Sequence, residues 1–196
     1  MALVKTLCVF CGASDDVAAV YRESATRLGE AMAAAGVGLV FGGGRIGLMG
    51  LISAAVAQGG GKITGVIPRH LHRAEIGGRQ AIGELRVVET MHERKALMFQ
   101  LSDAIAVLPG GLGTLDETFE VLTWKQLGLH DKPIVLVDIA GYWTPLVRQI
   151  QHIVESGFAP PSSRDLMHTV TSVEAVLPLI AALPEPRLSP PDRFSS

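Results

Sequence analysis

Val40-Phe41-Gly42-Gly43-Gly44-Arg45-Ile46-Gly47-Leu48-Met49-Gly50 begins as an apolar run, turns through glycines and continues as a helical pattern. A junction of strand, glycine-rich turn and helix is typical of α/β folds that hold a phosphate at the helix N-terminus. Residues 109–117, Pro-Gly-Gly-Leu-Gly-Thr-Leu-Asp-Glu, repeat this arrangement. Because glycine lets the backbone turn sharply or approach a ligand closely, the two turns predict one cleft lined by both.

Outward from these turns, short apolar runs alternate with helical patterns. Strands are predicted at 6–10, 38–41, 62–67, 85–89, 104–108, 133–139 and 168–171. Helices are predicted at 17–35, 48–57, 91–101, 114–127, 143–155 and 172–183, whereas 69–83 looks less regular. Continuously apolar strands are buried on both faces, as in a parallel sheet covered by helices. The sequence therefore predicts a Rossmann-like, doubly wound α/β fold with a mostly parallel sheet flanked by helices.

We expect a single domain over residues 1–183, followed by a disordered proline-rich tail over 184–196. The net charge of -2 does not favour a broad nucleic-acid-binding surface. No apolar stretch approaches the ~18 residues that span a bilayer, and the apolar N-terminal run leads into Asp15 and Asp16 without a signal-peptide cleavage site. A cytoplasmic protein with no membrane or nucleic-acid partner is predicted.

Cys8 and Cys11 form a C-x-x-C pair, which suggests a redox or metal site. Residues three apart on a strand point to opposite faces, however, and no second Cys or His cluster completes a metal site. We interpret both as small apolar residues. The six histidines show no ligand spacing such as H-x-x-x-H, so no metal is predicted.

The first turn also satisfies the G-x-G-x-x-G pattern of dinucleotide-binding proteins. Such a site requires an acidic residue about 20 positions further on, at the end of the next strand. Here that strand ends in Pro68, Arg69 and His70. NAD is therefore not predicted, and Gly43 and Gly44 are expected to contact a different substrate.

The second turn can be interpreted as a helix cap or as a ligand-binding turn. Thr114 to Glu117 spells T-x-x-E, a capping box, which would make both residues helix-end residues. A cap alone does not require Gly110, Gly111 and Gly113 before it, so these glycines indicate a close approach to a ligand.

A third motif, Met91-His92-Glu93-Arg94-Lys95, begins a predicted helix. Cations at a helix N-terminus are electrostatically unfavourable, so Arg94 and Lys95 need a counter-charge that a phosphate or carboxylate would supply. A solvated, charged helix face is the alternative.

Together, the three motifs resemble those of the Lonely Guy family of cytokinin-activating enzymes, whose members are often mislabelled as lysine decarboxylases. Further matches are Thr123-Trp124-Lys125-Gln126-Leu127-Gly128, Lys132-Pro133 and Glu155-Ser156-Gly157-Phe158, and the resemblance extends from about Leu7 to Leu179. It implies a Rossmann-like fold and hydrolysis of the N-glycosidic bond of cytokinin riboside 5′-monophosphates, giving the free base and ribose 5-phosphate. It also implies a homodimer with the site near the subunit interface, and no cofactor.

By matching motif, the resemblance implies that Arg94 and Glu117 are the catalytic pair and that residues 110–114 cradle the phosphate. The other substrate-binding positions that it implies are Glu75, Lys95, Asp116 and Thr123. Glu117 could stabilise an oxocarbenium-like sugar or act as a general base, and Arg94 could bind the phosphate or neutralise the leaving base.

The chain departs from the family pattern at three points. Leu112 stands where many relatives have Tyr, Asp116 where many have Glu, and Glu75 lies one residue further from Arg94 than in plant members. Two other functions remain open. They are a general AMP or pyrimidine nucleotide nucleosidase and a non-catalytic nucleotide-binding module.

Overall fold

The computed structural model describes residues 4–76, 82–184 and 186, without the side chains of 73–76. Apart from Pro184 and Pro186, the predicted tail therefore lies outside the described residues. Within these residues, seven strands join one sheet in the order β4-β3-β2-β1-β5-β6-β7, and every neighbouring pair is parallel. The strands are β1 Thr6–Phe10, β2 Gly38–Phe41, β3 Ile63–Pro68, β4 Glu84–Val88, β5 Ala104–Val107, β6 Ile134–Val137 and β7 His168–Val170.

Helices cover both faces of this sheet, as the buried strands require. They are α1 Ala19–Ala34, α2 Gly47–Gln58, α3 Arg69–Ile76, α4 Met91–Gln100, α5 Leu112–Gln126, α6 Thr144–Glu155 and α7 Val176–Ala182. Short 3₁₀ turns lie at Ile139–Gly141, Pro161–Asp165 and Val173–Ala175. No helix within the described ranges has both the length and the apolar character needed to cross a membrane.

Two apolar layers hold the helices on the sheet. In β1, Leu7 and Val9 pack into the layer shared with α1, α2 and α7, whereas Cys8 and Phe10 pack into the layer shared with α4 and α5. This alternation is the period of two of a strand. The predicted Rossmann-like α/β fold is confirmed.

The strand order reverses between β1 and β5. From β1 the chain builds outward to β4, and then returns to place β5 on the other side of β1. In sheets of this kind, ligands bind in the crevice beyond the carboxyl ends of the strands at the reversal. The strand order therefore predicts a ligand site at the loops after β1 and β5.

Several predicted elements differ from the structure. The predicted helix 172–183 is a 3₁₀ turn at Val173–Ala175 followed by α7, and the predicted strand 133–139 ends at Val137. The stretch 69–83, which looked less regular, contains α3. No helix was predicted there because few apolar residues mark a helical period and because Arg69 and His70 at its start are exposed. Helix α5 begins at Leu112, two residues before its predicted start, because Gly111 rather than Thr114 occupies the N-cap position.

Candidate active site

A cavity of about 210 Å³ lies at the carboxyl edge of the sheet, where the strand order reverses. The loops after β1, β2 and β5 contribute its walls together with side chains of α2, α4 and α5. Its lining residues are Val9, Cys11, Gly12, Ala13, Gly42, Met49, Arg94, Gly111, Gly113, Thr114 and Glu117. A larger cavity of about 650 Å³ at the opposite edge of the sheet includes Lys5 and Lys62 but no residue of the two glycine-rich turns or of 91–95.

Arg94 enters this cavity from the first turns of α4 and is only 5% exposed. Its Nε donates to the carbonyl oxygen of Val66 at 3.1 Å, and its Nη2 donates to that of Gly42 at 2.9 Å. A Cβ on Gly42 would lie 2.1 Å from Nη2. Gly42 therefore leaves the space that the guanidinium occupies.

Glu117 reaches the same cavity from α5 and is 9% exposed. The pKa of the Cys11 thiol lies well above its ordinary value because the thiol is buried and because the Glu117 carboxylate is near, while Arg94 opposes this shift. A carboxylate and a guanidinium thus act on one buried point. Charges in such a water-poor setting interact more strongly than they do in bulk water.

The capping-box interpretation of Thr114 and Glu117 is wrong. The N-cap of α5 is Gly111, and no side chain among the described residues caps this end. A capping arrangement occurs instead at α4, where the N–H of Glu93 donates to Thr90 Oγ1 at 3.1 Å. The Glu93 carboxylate in turn accepts from the N–H of Glu89 at 2.9 Å. Glu93 has the helix-end role that the sequence also allowed for Glu117.

The glycines of the second turn have different surroundings. A Cβ on Gly110 would lie 2.1 Å from Thr114 Oγ1 and 2.9 Å from the backbone nitrogen of Gly12, so packing requires a glycine there. A Cβ on Gly111 or Gly113 would meet nothing within 4 Å. Both line the cavity, so the N-terminus of α5 opens onto space large enough for a ligand group.

The N-terminus of α2, after the first turn, is occupied by the protein itself. The N–H of Gly47 donates to Asp15 Oδ1 at 2.8 Å, and that of Leu48 donates to the Gly12 carbonyl at 3.0 Å. Gly43 and Gly44 are buried and are not among the lining residues, whereas Gly42 is. The first turn therefore contributes to the cavity through Gly42 and Met49.

The counter-charge that Lys95 needs comes from α5. Its Nζ lies 3.0 Å from Asp116 Oδ2 and 3.2 Å from Glu120 Oε2. Burial alone would lower the pKa of Lys95, but the hydrogen bonds to these two carboxylates outweigh it and raise the pKa. Lys95 and Asp116 thus join α4 to α5 beside the cavity without lining it.

Of two further predicted residues, Thr123 lies away from the cavity wall and the side chain of Glu75 is not described. Thr123 is exposed on α5, six residues after Glu117 and so about 9 Å along the helix axis. Glu75 belongs to α3, but its side chain is not among those described. The structure therefore groups Arg94, Glu117, Gly111, Gly113 and Thr114 around one cavity, next to Gly110.

Sequence reasoning missed the loop after β1. Cys11, Gly12 and Ala13 line the cavity, and the N–H of Gly12 donates to the Pro109 carbonyl at 3.0 Å. A glycine directly after the first buried strand was the available signal, since carboxyl ends of parallel strands meet at one edge. Cys8 and Cys11 are free, buried thiols in different apolar layers, as the strand period predicts.

Comparison with known proteins adds independent information. Residues 49–180 match a family described as possible lysine decarboxylase. A probable cytokinin riboside 5′-monophosphate phosphoribohydrolase of Oryza sativa subsp. japonica is 47% identical, over 83% of this chain and 66% of the relative. A cytokinin riboside 5′-monophosphate phosphoribohydrolase of Arabidopsis thaliana is 46% identical, over 88% of this chain and 81% of the relative.

Among solved structures, a molybdenum cofactor binding protein of Rippkaea orientalis matches with a TM-score of 0.66, over 90% of this chain and 95% of that one. Its sequence is 20% identical, so the match concerns the fold. The family model and the plant relatives, in contrast, match this chain in sequence over most of its length. The chain therefore belongs to the Lonely Guy family, to which the possible lysine decarboxylase description also applies.

Proposed function

We propose that the chain hydrolyses the N-glycosidic bond of a purine riboside 5′-monophosphate carrying an N6-prenylated adenine, and releases the free base and ribose 5-phosphate. The observation that carries this proposal is the burial of Arg94 and Glu117 in one cavity beside the open N-terminus of α5. Relatives 46% and 47% identical bear the name of this activity, which supports the same reaction here.

The phosphate is assigned to the second turn. Backbone N–H groups at a helix N-terminus bind anions, and the helix dipole adds to the attraction. Gly111 and Gly113 leave the approach open, and Thr114 offers a hydroxyl at the same wall. The predicted substrate roles of Gly43, Gly44, Lys95, Asp116, Thr123 and Glu75 remain part of the proposal.

The chemistry follows from the two buried charged groups. As the bond between the sugar C1′ and the base nitrogen breaks, positive charge develops on the sugar, and a carboxylate at Glu117 stabilises it or removes a proton from the attacking water. Arg94, held by two backbone carbonyls, is fixed before substrate arrives. Its charge then either binds the phosphate or neutralises the departing base.

Chromatography of the products from a panel of nucleotides tests the reaction. We expect free base and ribose 5-phosphate from isopentenyladenosine monophosphate, and at least a hundredfold lower kcat/KM for the riboside, since charge-assisted phosphate contacts are worth about 3 kcal/mol or more in sum. Equal values for nucleotide and riboside would remove the phosphate site from the proposal.

The same panel separates the other functions. Faster cleavage of AMP or of a pyrimidine nucleotide would replace the prenylated base by a general nucleosidase. Binding without release of any base would indicate a non-catalytic module. Visible pyridoxal phosphate absorbance in the purified protein, together with decarboxylation, would support the decarboxylase description.

We also propose that the protein is a homodimer in the cytoplasm. Leu112, Phe119 and the C-cap residue Leu127 are 85%, 41% and 66% exposed, and their spacing places them along one face of α5 and its C-terminal end. Asp116 and Thr123 share this face, so a partner packed on α4 and α5 would enclose both of these predicted substrate residues. Light scattering at micromolar concentration should give at least a dimer mass, and a fully active monomer would contradict the assembly.

A further inference from the structure

Tyr142 contacts the second glycine turn from the side of β6. It follows the 3₁₀ turn Ile139–Gly141, and its hydroxyl donates to the carbonyl oxygen of Gly110 at 2.7 Å. Tyr142 is not among the residues that line the cavity. Its hydrogen bond to Gly110 connects it to the turn beside the cavity.

The loop that carries Tyr142 is itself fixed. Asp138 accepts from the N–H of Trp143 at 2.5 Å and from the hydroxyl of Thr144 at 2.9 Å. Ala140 has a φ of 51°, a left-handed conformation that costs energy in a residue with a Cβ. The Tyr142 ring packs edge-on against the rings of Tyr21 and Trp143, with ring centroids 5.5 Å and 4.8 Å apart respectively. These contacts fix the position from which its hydroxyl reaches Gly110.

The second turn is thus held from both neighbouring strands. On the β1 side the N–H of Gly12 donates to the Pro109 carbonyl at 3.0 Å, and on the β6 side Tyr142 donates to the Gly110 carbonyl. Because β5 lies between β1 and β6, one bond comes from each flank. Two successive carbonyls just before the N-cap of α5 are fixed in this way.

Fixing the Gly110 carbonyl also fixes the N–H of the next residue. A peptide unit is planar, so the direction of the Gly110 C=O determines the direction of the Gly111 N–H. Gly111 is the N-cap of α5 and lines the cavity. Without the Tyr142 bond, this glycine-rich peptide could rotate, and an anion would have to order it on binding.

We propose that Tyr142 is a positioning residue that pre-orients the Gly110–Gly111 peptide for the 5′-phosphate of the substrate. This role rests on the proposed function, which places the phosphate at the N-terminus of α5. It assigns Tyr142 to binding and not to the bond-breaking step. Its loss should therefore change KM and leave kcat nearly intact.

The test compares Tyr142→Phe with Tyr21→Phe. Both variants keep the paired rings, and Tyr142→Phe alone loses the bond to Gly110. We expect Tyr142→Phe to raise KM for the nucleotide about fivefold to tenfold, with kcat within twofold and a melting temperature lowered by only a few degrees, as one neutral hydrogen bond allows. Tyr21→Phe should match the wild type in all three. Ribose 5-phosphate binding, measured by calorimetry, should weaken in Tyr142→Phe by the same factor as KM rises.

The outcomes separate this role from the proposed function. If the wild type cleaves the nucleotide and Tyr142→Phe keeps its KM, or loses kcat instead, the positioning role is wrong while the function stands. If the wild type cleaves no nucleotide but binds ribose 5-phosphate, weaker binding by Tyr142→Phe still supports the role, and equal binding overturns it. A wild type that neither cleaves the nucleotide nor binds ribose 5-phosphate overturns both.

Discussion

In the turn after β2, Gly42 makes room for the Arg94 guanidinium and Gly47 lies against the backbone of Ala13, where a Cβ would approach to 2.4 Å. In the turn after β5, Gly111 and Gly113 would meet nothing within 4 Å if they carried a Cβ. Both stretches have the sequence pattern of a strand, a glycine-rich turn and a helix. The glycines of the first turn make room for other parts of the protein, whereas Gly111 and Gly113 of the second turn face open space.

The N-termini of α2 and α5, which follow these two turns, differ in the same way. The N-terminus of α2 donates to Asp15 and to the Gly12 carbonyl, whereas no described side chain caps α5. An anionic side chain already occupies the end of α2 that glycine patterns assign to phosphate. A glycine-rich turn thus indicates close approach, and the tertiary structure decides whether a ligand or the protein itself approaches.

The largest effect is expected at the carboxylate between the two turns. Glu117→Gln should lower kcat about a hundredfold or more, because a neutral amide neither stabilises an oxocarbenium ion nor accepts a proton. Its free energy of unfolding should change by about 1 kcal/mol at most, since Glu117 is not a helix cap. Steady-state kinetics and urea unfolding measure the two quantities.

Glu93→Gln is the matched control, because Glu93 belongs to the capping arrangement found at α4. It should retain kcat and lose about 1 kcal/mol or less, since Gln also serves in a capping box. Near-normal turnover by Glu117→Gln would refute the catalytic assignment.

A smaller loss is expected from filling the first turn. In Gly42→Ala the new Cβ would overlap Arg94 Nη2, so the guanidinium must leave its two carbonyl acceptors. We expect kcat/KM to fall about thirtyfold, which corresponds to ~2 kcal/mol of transition-state stabilisation. Stability should decrease as well, because a buried charge loses hydrogen bonds. Wild-type kinetics would show that Arg94 does not depend on this space.

Filling the second turn should separate stability from binding. Gly113 lies within α5, where alanine is favoured over glycine by about 1 kcal/mol. Gly113→Ala should therefore be as stable as the wild type or more so, yet its methyl group enters the space assigned to the phosphate. A KM increase of about tenfold, ~1.4 kcal/mol, is expected. An unchanged KM would mean that the open space holds no part of the substrate.

The smallest effect concerns the far end of α5, remote from both turns. His130 Nε2 lies 2.9 Å from the Val121 carbonyl, and its Nδ1 accepts from the N–H of Lys132 at 3.1 Å, a pattern that fits the neutral ring. Burial lowers the pKa of His130 to about 4. In the unfolded chain its pKa stays near ~6.5, so between these values only the unfolded state gains the proton.

Stability must therefore fall as the pH decreases through this window. We expect about 1 kcal/mol less free energy of unfolding at pH 5.5 than at pH 7. His130→Gln should not show this part of the pH dependence, although its stability at pH 7 will be lower. Denaturant unfolding at the two pH values measures the difference, and an identical pH dependence in both proteins would contradict the assignment to His130.

Much of the fold could be predicted because its signals are local. Continuous apolar runs, such as 104–108, mark strands buried on two faces, and the helical period marks α1 and α6. Helix α3 escaped detection because its sequence offers few apolar residues to a core. The start of α5 was misplaced because Thr114 to Glu117 imitates a cap, while the true N-cap is a glycine without a side chain.

The sequence by itself determined the Rossmann-like architecture, the family, and the motif residues Arg94, Glu117 and Thr114, which meet at one cavity. Only the tertiary structure decided that Gly42 serves Arg94, 52 positions along the chain, and that Tyr142 holds Gly110, 32 positions away. The physical reason is the range of the interactions. Hydrophobic period and turn chemistry act between near neighbours, whereas the space beside a glycine depends on which distant segments the sheet order brings together.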